Sequence, residues 1–120
     1  MTVIEIPIRL PGLNEYIAAN RNHRQAGAKM KSEVEDRLVW YIKNQTKARH
    51  DRVRLVFRWR ELDKRRDLDN IAAAKKFVLD AMVKAGAIPG DGWRHVVGFE
   101  DHFEVSKQPG VRIEILEVIG

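Results

Sequence analysis

Cysteine is absent from this 120-residue chain, which excludes disulfide staples and thiolate metal sites and fits a reducing compartment. Long apolar runs are absent too, so a membrane-spanning helix is not expected. Glu5 and Arg9 interrupt the first apolar stretch, so it does not read as a signal peptide, and a cytoplasmic setting is expected. No glycine-rich P-loop occurs, so nucleotide hydrolysis is not implied. The four histidines (His23, His50, His95, His102) show no metal-pair spacing on a helix, and repeats, low-complexity tracts and linkers are missing. What remains is one ordinary globular domain over residues 1–120, 44% hydrophobic and 32% charged.

The net charge of +5 is uneven. Residues 47–66 carry 9 basic and 3 acidic groups, whereas residues 96–120 carry 2 and 5. A cationic stripe of this density is either a solvated face or the footprint of a polyanion binder.

Apolar alternation in 3–10 predicts a half-buried strand, with Pro7 pointing to an edge position or a bulge. Residues 11–28 read as a long loop. Ser32 and Glu35 match a capping box, so a helix is expected over about 30–48. Residues 53–60 alternate strongly, with Val53, Leu55, Phe57 and Trp59 inward and Arg54, Arg58 and Arg60 outward. A second helix is expected over about 70–85, ending at Gly86. Strands follow at 95–105 and 111–118, with Lys107-Gln108-Pro109-Gly110 as a hairpin signal. The order β-α-β-α-β-β predicts an α+β domain with a mixed sheet and two helices packed on it. Trp93 and Phe99 are expected in a core, with base stacking as the alternative.

The chemistry concentrates in Arg65-Arg66-Asp67-Leu68-Asp69-Asn70, between the second strand and the second helix. Two aspartates in a D-x-D arrangement offer hard oxygen ligands suited to Mg2+ or Mn2+; the competing reading is a helix N-cap. On a regular helix of about 100° per residue with Asp69 at zero, Lys76 and Asp80 fall within about 20° of it. Lys75 falls about 120° away, off that strip, which favours Lys76 over Lys75. Asp80 is supportive only, because Lys76–Asp80 is also an ordinary i,i+4 surface pair. Asp91 lies in the turn Pro89-Gly90-Asp91-Gly92, and reaches this strip only if the chain folds back. Asn70 reads as a helix cap or as an orienting group for an aspartate.

Segment 65–97, RRDLDNIAAAKKFVLDAMVKAGAIPGDGWRHVV, resembles the core motif of the RusA-type Holliday junction resolvases, small endodeoxyribonucleases of bacteria and their phages. The first strand with its Pro11/Asn14 loop and the last two strands extend the likeness to nearly the whole chain. Two features depart from the pattern. Position 90 is Gly where a double aspartate is familiar, and about three extra residues, nearly one helical turn, separate Asn70 from the lysine. The resemblance implies metal binding by Asp67, Asp69 and Asp91, with Lys76 needed for cleavage. It implies a homodimer acting on a four-way DNA junction with Mg2+, Mn2+ being possible. Phosphate contacts would come from Arg21, Arg24, Arg54, Arg58, Arg60, Lys64, Arg65 and Arg66. A non-catalytic basic DNA-binding protein and a flap or branched-DNA nuclease are the alternatives. Three converging carboxylates repel, so bound metal would raise stability.

Overall fold

A computed structural model of the chain describes residues 1–119. The elements run β1 (Thr2–Ile6), α1 (Leu13–Asn22), α2 (Arg24–Gln45), β2 (Val53–Glu61), α3 (Leu68–Ala72), α4 (Lys75–Lys84), β3 (Val96–Val105) and β4 (Gly110–Glu117). They form an α+β domain around a mixed four-stranded sheet of order β1-β4-β2-β3. β4 pairs antiparallel with β1 and β2, and β3 pairs parallel with β2. The parallel pair is what α3 and α4 connect, as a crossover must. β1 is an edge strand that stops just before Pro7, as the missing amide hydrogen requires.

The alternation seen in β2 is real. Val53, Leu55, Phe57 and Trp59 are buried with Ile4, Ile6, Val111, Ile113 and Ile115 of the neighbouring strands. The helical layer closes this core with Leu38 and Ile42 from α2 and with Val78, Ala81 and Met82 from α4. Burial on that scale is the main stabilising term, at roughly 1.5–3 kcal/mol per large aliphatic side chain.

Four expectations need correction. Residues 11–28 are not a loop: α1 fills most of that stretch, and α2 begins at Arg24. α1 buries no residue fully, so its apolar signal is only Leu13, Tyr16 and Ile17. It is held by Tyr16, whose ring packs edge-on to Phe77 at 5.6 Å. His23 ends α1 in an extended conformation and caps α2, its Nδ1 accepting from the Gln25 amide at 3.2 Å. The Ser32–Glu35 pair therefore lies inside α2 and caps nothing. Gly27 faces Asn20 of α1 so closely that a Cβ would stand 1.8 Å from Asn20 Oδ1, which is how the two helices fold back on each other.

The expected single helix over 70–85 is two segments. Ala73 and Ala74 keep right-handed helical angles, yet the Ala74, Lys76 and Phe77 amides bond three residues back rather than four. This is a local 3₁₀ tightening. Three residues at about 120° make a full turn where α geometry gives about 300°, so the extra residues are absorbed without losing the phase of the helix face.

The 107–110 turn does not make a hairpin, because β4 leaves β3 and enters between β1 and β2. β4 is the more apolar strand and takes a central position, while β3 carries four acidic or histidine side chains and stays at the edge. Gly110 makes the crossing possible. Its φ is +151°, and a Cβ there would meet the Ile6 carbonyl oxygen at 2.2 Å.

Candidate active site

Asp67 sits where β2 has ended and α3 begins, at the N-cap position, with its backbone oxygen accepting from the Ile71 amide. Its side chain makes no capping hydrogen bond. The carboxylate instead lines an open cleft of about 600 Å³ with Lys64, Leu68, Asp101, Phe103 and Val105. The capping explanation therefore accounts for the residue's backbone and not for its charge. Asp69 lies in the first turn of α3, where Oδ1 accepts from the Asn70 amide at 2.9 Å. The carboxylates are favoured there by the positive end of the peptide dipoles.

Asn70 does neither of the things expected of it. Its Oδ1 accepts from the Asn14 amide at 2.8 Å, so it caps α1 from outside that helix. Gly12 permits the approach, since a Cβ there would stand 2.7 Å from the same oxygen.

Lys75 and Lys76 are adjacent in sequence and part company in space. Lys75 Nζ donates to Asp101 Oδ2 at 2.5 Å and lies 3.8 Å from the Phe99 ring centroid. Its side chain is only 12% exposed, and Asp101 also accepts from Trp59 Nε1 at 2.8 Å. Lys76 is 68% exposed and bridges Asp80 and Asp91, each at 2.9 Å. The chain after α4 does fold back, therefore, and brings Asp91 to the lysine fifteen residues earlier. Hydrogen bonds from Lys76 to Asp80 and Asp91 push the lysine's pKa up. The same ammonium pulls the Asp91 carboxyl down. The returning loop is fixed at its far end, where the Asp51 carbonyl oxygen lies 2.6 Å from His95 Nδ1 and the Val53 amide donates to the His95 carbonyl.

Asp67 and Asp69 stay at the start of α3, whereas Asp91 is engaged by Lys76. Among the described residues, no group of three or more His, Cys, Asp or Glu side chains is arranged to hold a metal ion. The donors are chemically right for a hard dication, and the side chains as they stand do not close a three-carboxylate cage.

The basic residues divide into two sets. Arg58 donates to Glu114 at 2.7 Å and Arg60 to Glu5 at 2.8 Å, so the arginine row on the uncovered sheet face is largely neutralised by carboxylates on β1 and β4. Arg58 and Glu114 stabilise each other's charged forms, raising one pKa and lowering the other. Arg66 is 9% exposed and ties the Leu10 carbonyl, Glu15 and Glu61 together, which is a structural role. Arg21, Arg24, Arg54, Lys64 and Arg65 are exposed. Trp93 is 97% exposed beside Asp91, not in a core, and Phe99 is half exposed. The positive stripe in the sequence could not reveal which cations meet carboxylates across strands, because β4 lies more than fifty residues away.

A D-x-D at a strand end, a lysine–aspartate contact across a folded-back loop and exposed cations nearby define a phosphate-chemistry class of site. The family described as Endodeoxyribonuclease RusA matches residues 13–116, a span that includes Asp67, Asp69, Lys76 and Asp91. The chain belongs to this family of endodeoxyribonucleases. No curated protein matches it. Among the described residues, no helix is long and apolar enough to cross a membrane.

Proposed function

We propose that the protein resolves four-way DNA junctions by paired, symmetric phosphodiester cleavage with Mg2+, acting as a homodimer. The observation that carries the reading is the Lys76–Asp91 contact at 2.9 Å within the family-matched span, beside a D-x-D whose Asp67 carboxylate is unused by capping.

Asp67, Asp69 and Asp91 are the residues that would hold the cation, with Mn2+ as an acceptable substitute. When bound, a hard dication polarises a phosphodiester oxygen and lowers the pKa of water. Lys76 is charged at any working pH and presents its ammonium to solvent, so it stabilises negative charge that builds on phosphorus as water attacks in line. Lys64 and Arg65 flank the same cleft and hold the phosphates on either side of the scissile bond, while Arg21 and Arg24 extend that contact. Binding therefore weakens steeply with salt.

A second reading, a DNA-binding protein without catalysis, is favoured by the separation of the carboxylates described above. A labelled four-way junction incubated with protein and Mg2+ decides between them. Symmetric nicks made by the parent chain, with Asp69→Asn binding the junction and leaving it intact, support the nuclease. Binding without cuts by the parent chain supports the second reading.

A further inference from the structure

β3 is ten residues long, lies at the edge of the sheet and contains neither proline nor lysine. Such a strand offers a free row of amide and carbonyl groups to another strand. Its sequence reads nearly the same in both directions around Asp101: Val97, Phe99, Asp101, Phe103 and Val105 alternate with Gly98, Glu100, His102 and Glu104.

We propose that β3 pairs antiparallel with β3 of a second copy, with Asp101 on the two-fold axis, to give one continuous eight-stranded sheet. In this register Phe99 faces Phe103 of the other copy and Val97 faces Val105, twice each. On the opposite face Glu100 meets His102, again twice. Gly98 faces Glu104. Moving the axis by two residues in either direction sets Phe against Asp and Glu against Glu, so the strand's own chemistry selects one register.

Arg54 supplies a further match. Its guanidinium lies over Gly98, with Nη1 2.6 Å from where a Cβ would be. Arg58 and Arg60 are held by Glu114 and Glu5, but among the described residues neither Arg54 nor Glu104 forms a salt bridge. Pairing brings Glu104 of one copy to Arg54 of the other. The two Asp101 carboxylates on the axis arrive already matched by Lys75 and by the Trp59 indole. Phe99 and Val105, half exposed in the single chain, become covered. Phe103 and Val105 line the cleft that holds Asp67, so the second copy's Phe99 and Val97 complete a wall of that cleft. This inference rests on the proposed function in one respect: the two-fold axis relates two identical sites, as paired cuts require.

Sedimentation of the whole chain without DNA should give twice the 13.9 kDa chain mass at micromolar concentration. Glu104→Arg should weaken self-association by about tenfold or more, and adding Arg54→Glu to it should restore the pairing. Because the chain has no native cysteine, Glu100→Cys combined with His102→Cys should form a disulfide-linked dimer far faster than either single change. A monomer at all concentrations overturns the pairing, as does a dimer indifferent to Glu104→Arg or one in which the double cysteine variant links no faster than the single ones. Junction cutting by a chain that stays monomeric removes this pairing alone. A β3-linked dimer that never cuts leaves the pairing in place and removes the nuclease reading.

Discussion

Removing the charge from each of two neighbouring lysines should have opposite consequences. Lys75 is nearly buried, 2.5 Å from Asp101 and packed on the Phe99 ring. Lys75→Met keeps the volume and leaves a carboxylate in a part-buried site with only the Trp59 indole as partner. Breaking a fully buried pair costs 3–5 kcal/mol, and partial exposure of both groups here lowers the expected loss to about 2 kcal/mol. In a domain of this size that is a fall in Tm of roughly 6–10 °C. Lys76→Met removes an ammonium that is two-thirds exposed, so its two surface pairs account for no more than about 1 kcal/mol together. Its effect falls on cleavage, where losing a charge aimed at the reacting phosphate costs about 10²–10³-fold. Urea unfolding followed by circular dichroism measures the first quantity, and junction cleavage under single-turnover conditions the second. Equal stability losses for the two variants, or a Lys76→Met chain that cuts at the parent rate, would refute the division of labour.

Other perturbations test the supporting structure. Glu114 has its carboxyl held below its ordinary 4.5 by Arg58, so that pair stabilises the fold above the unfolded value and loses its contribution as pH falls through the lower folded one. Glu114→Gln should therefore narrow its stability gap from the parent chain on acidification, as read by unfolding midpoints from neutral pH to below 4.5. Gly110→Ala forces a Cβ against the Ile6 carbonyl at a positive φ and should cost at least about 2 kcal/mol, measured by chemical denaturation. Asn70→Ala removes the external cap of α1 and should cost about 1 kcal/mol, with faster proteolysis of the 11–25 segment.

Much of the fold was legible where local pattern and burial coincide. The alternation of 53–60 predicted β2 and its buried side, and Asp67-x-Asp69 with the lysine at helical spacing marked the region that matters. α1 was not legible, because its stability comes from Tyr16 against Phe77 and from Asn70 beneath its first turn, contacts more than fifty residues away in sequence. The capping box was a true local signal overridden by His23, which caps the same helix earlier. The hairpin failed because Pro109-Gly110 marks a turn without naming the strand's partner, and β4 is drawn to the centre by Val111, Ile113 and Ile115. The Lys76–Asp91 contact needed the fold-back that spacing alone could not supply. Arg58, Arg60 and Arg66 looked like free cations only because their carboxylate partners are remote in sequence.

The central claim is that Asp67, Asp69 and Asp91 share one divalent cation, and thermal unfolding during a Mg2+ titration without DNA tests it most directly. Cation bound to the folded state alone raises stability by about 2.7 kcal/mol at a hundredfold excess over Kd. The account predicts a Tm that climbs with Mg2+ in the parent chain and stays flat in Asp67→Asn, Asp69→Asn and Asp91→Asn taken singly. An Asp91→Asn chain that gains as much as the parent would contradict it.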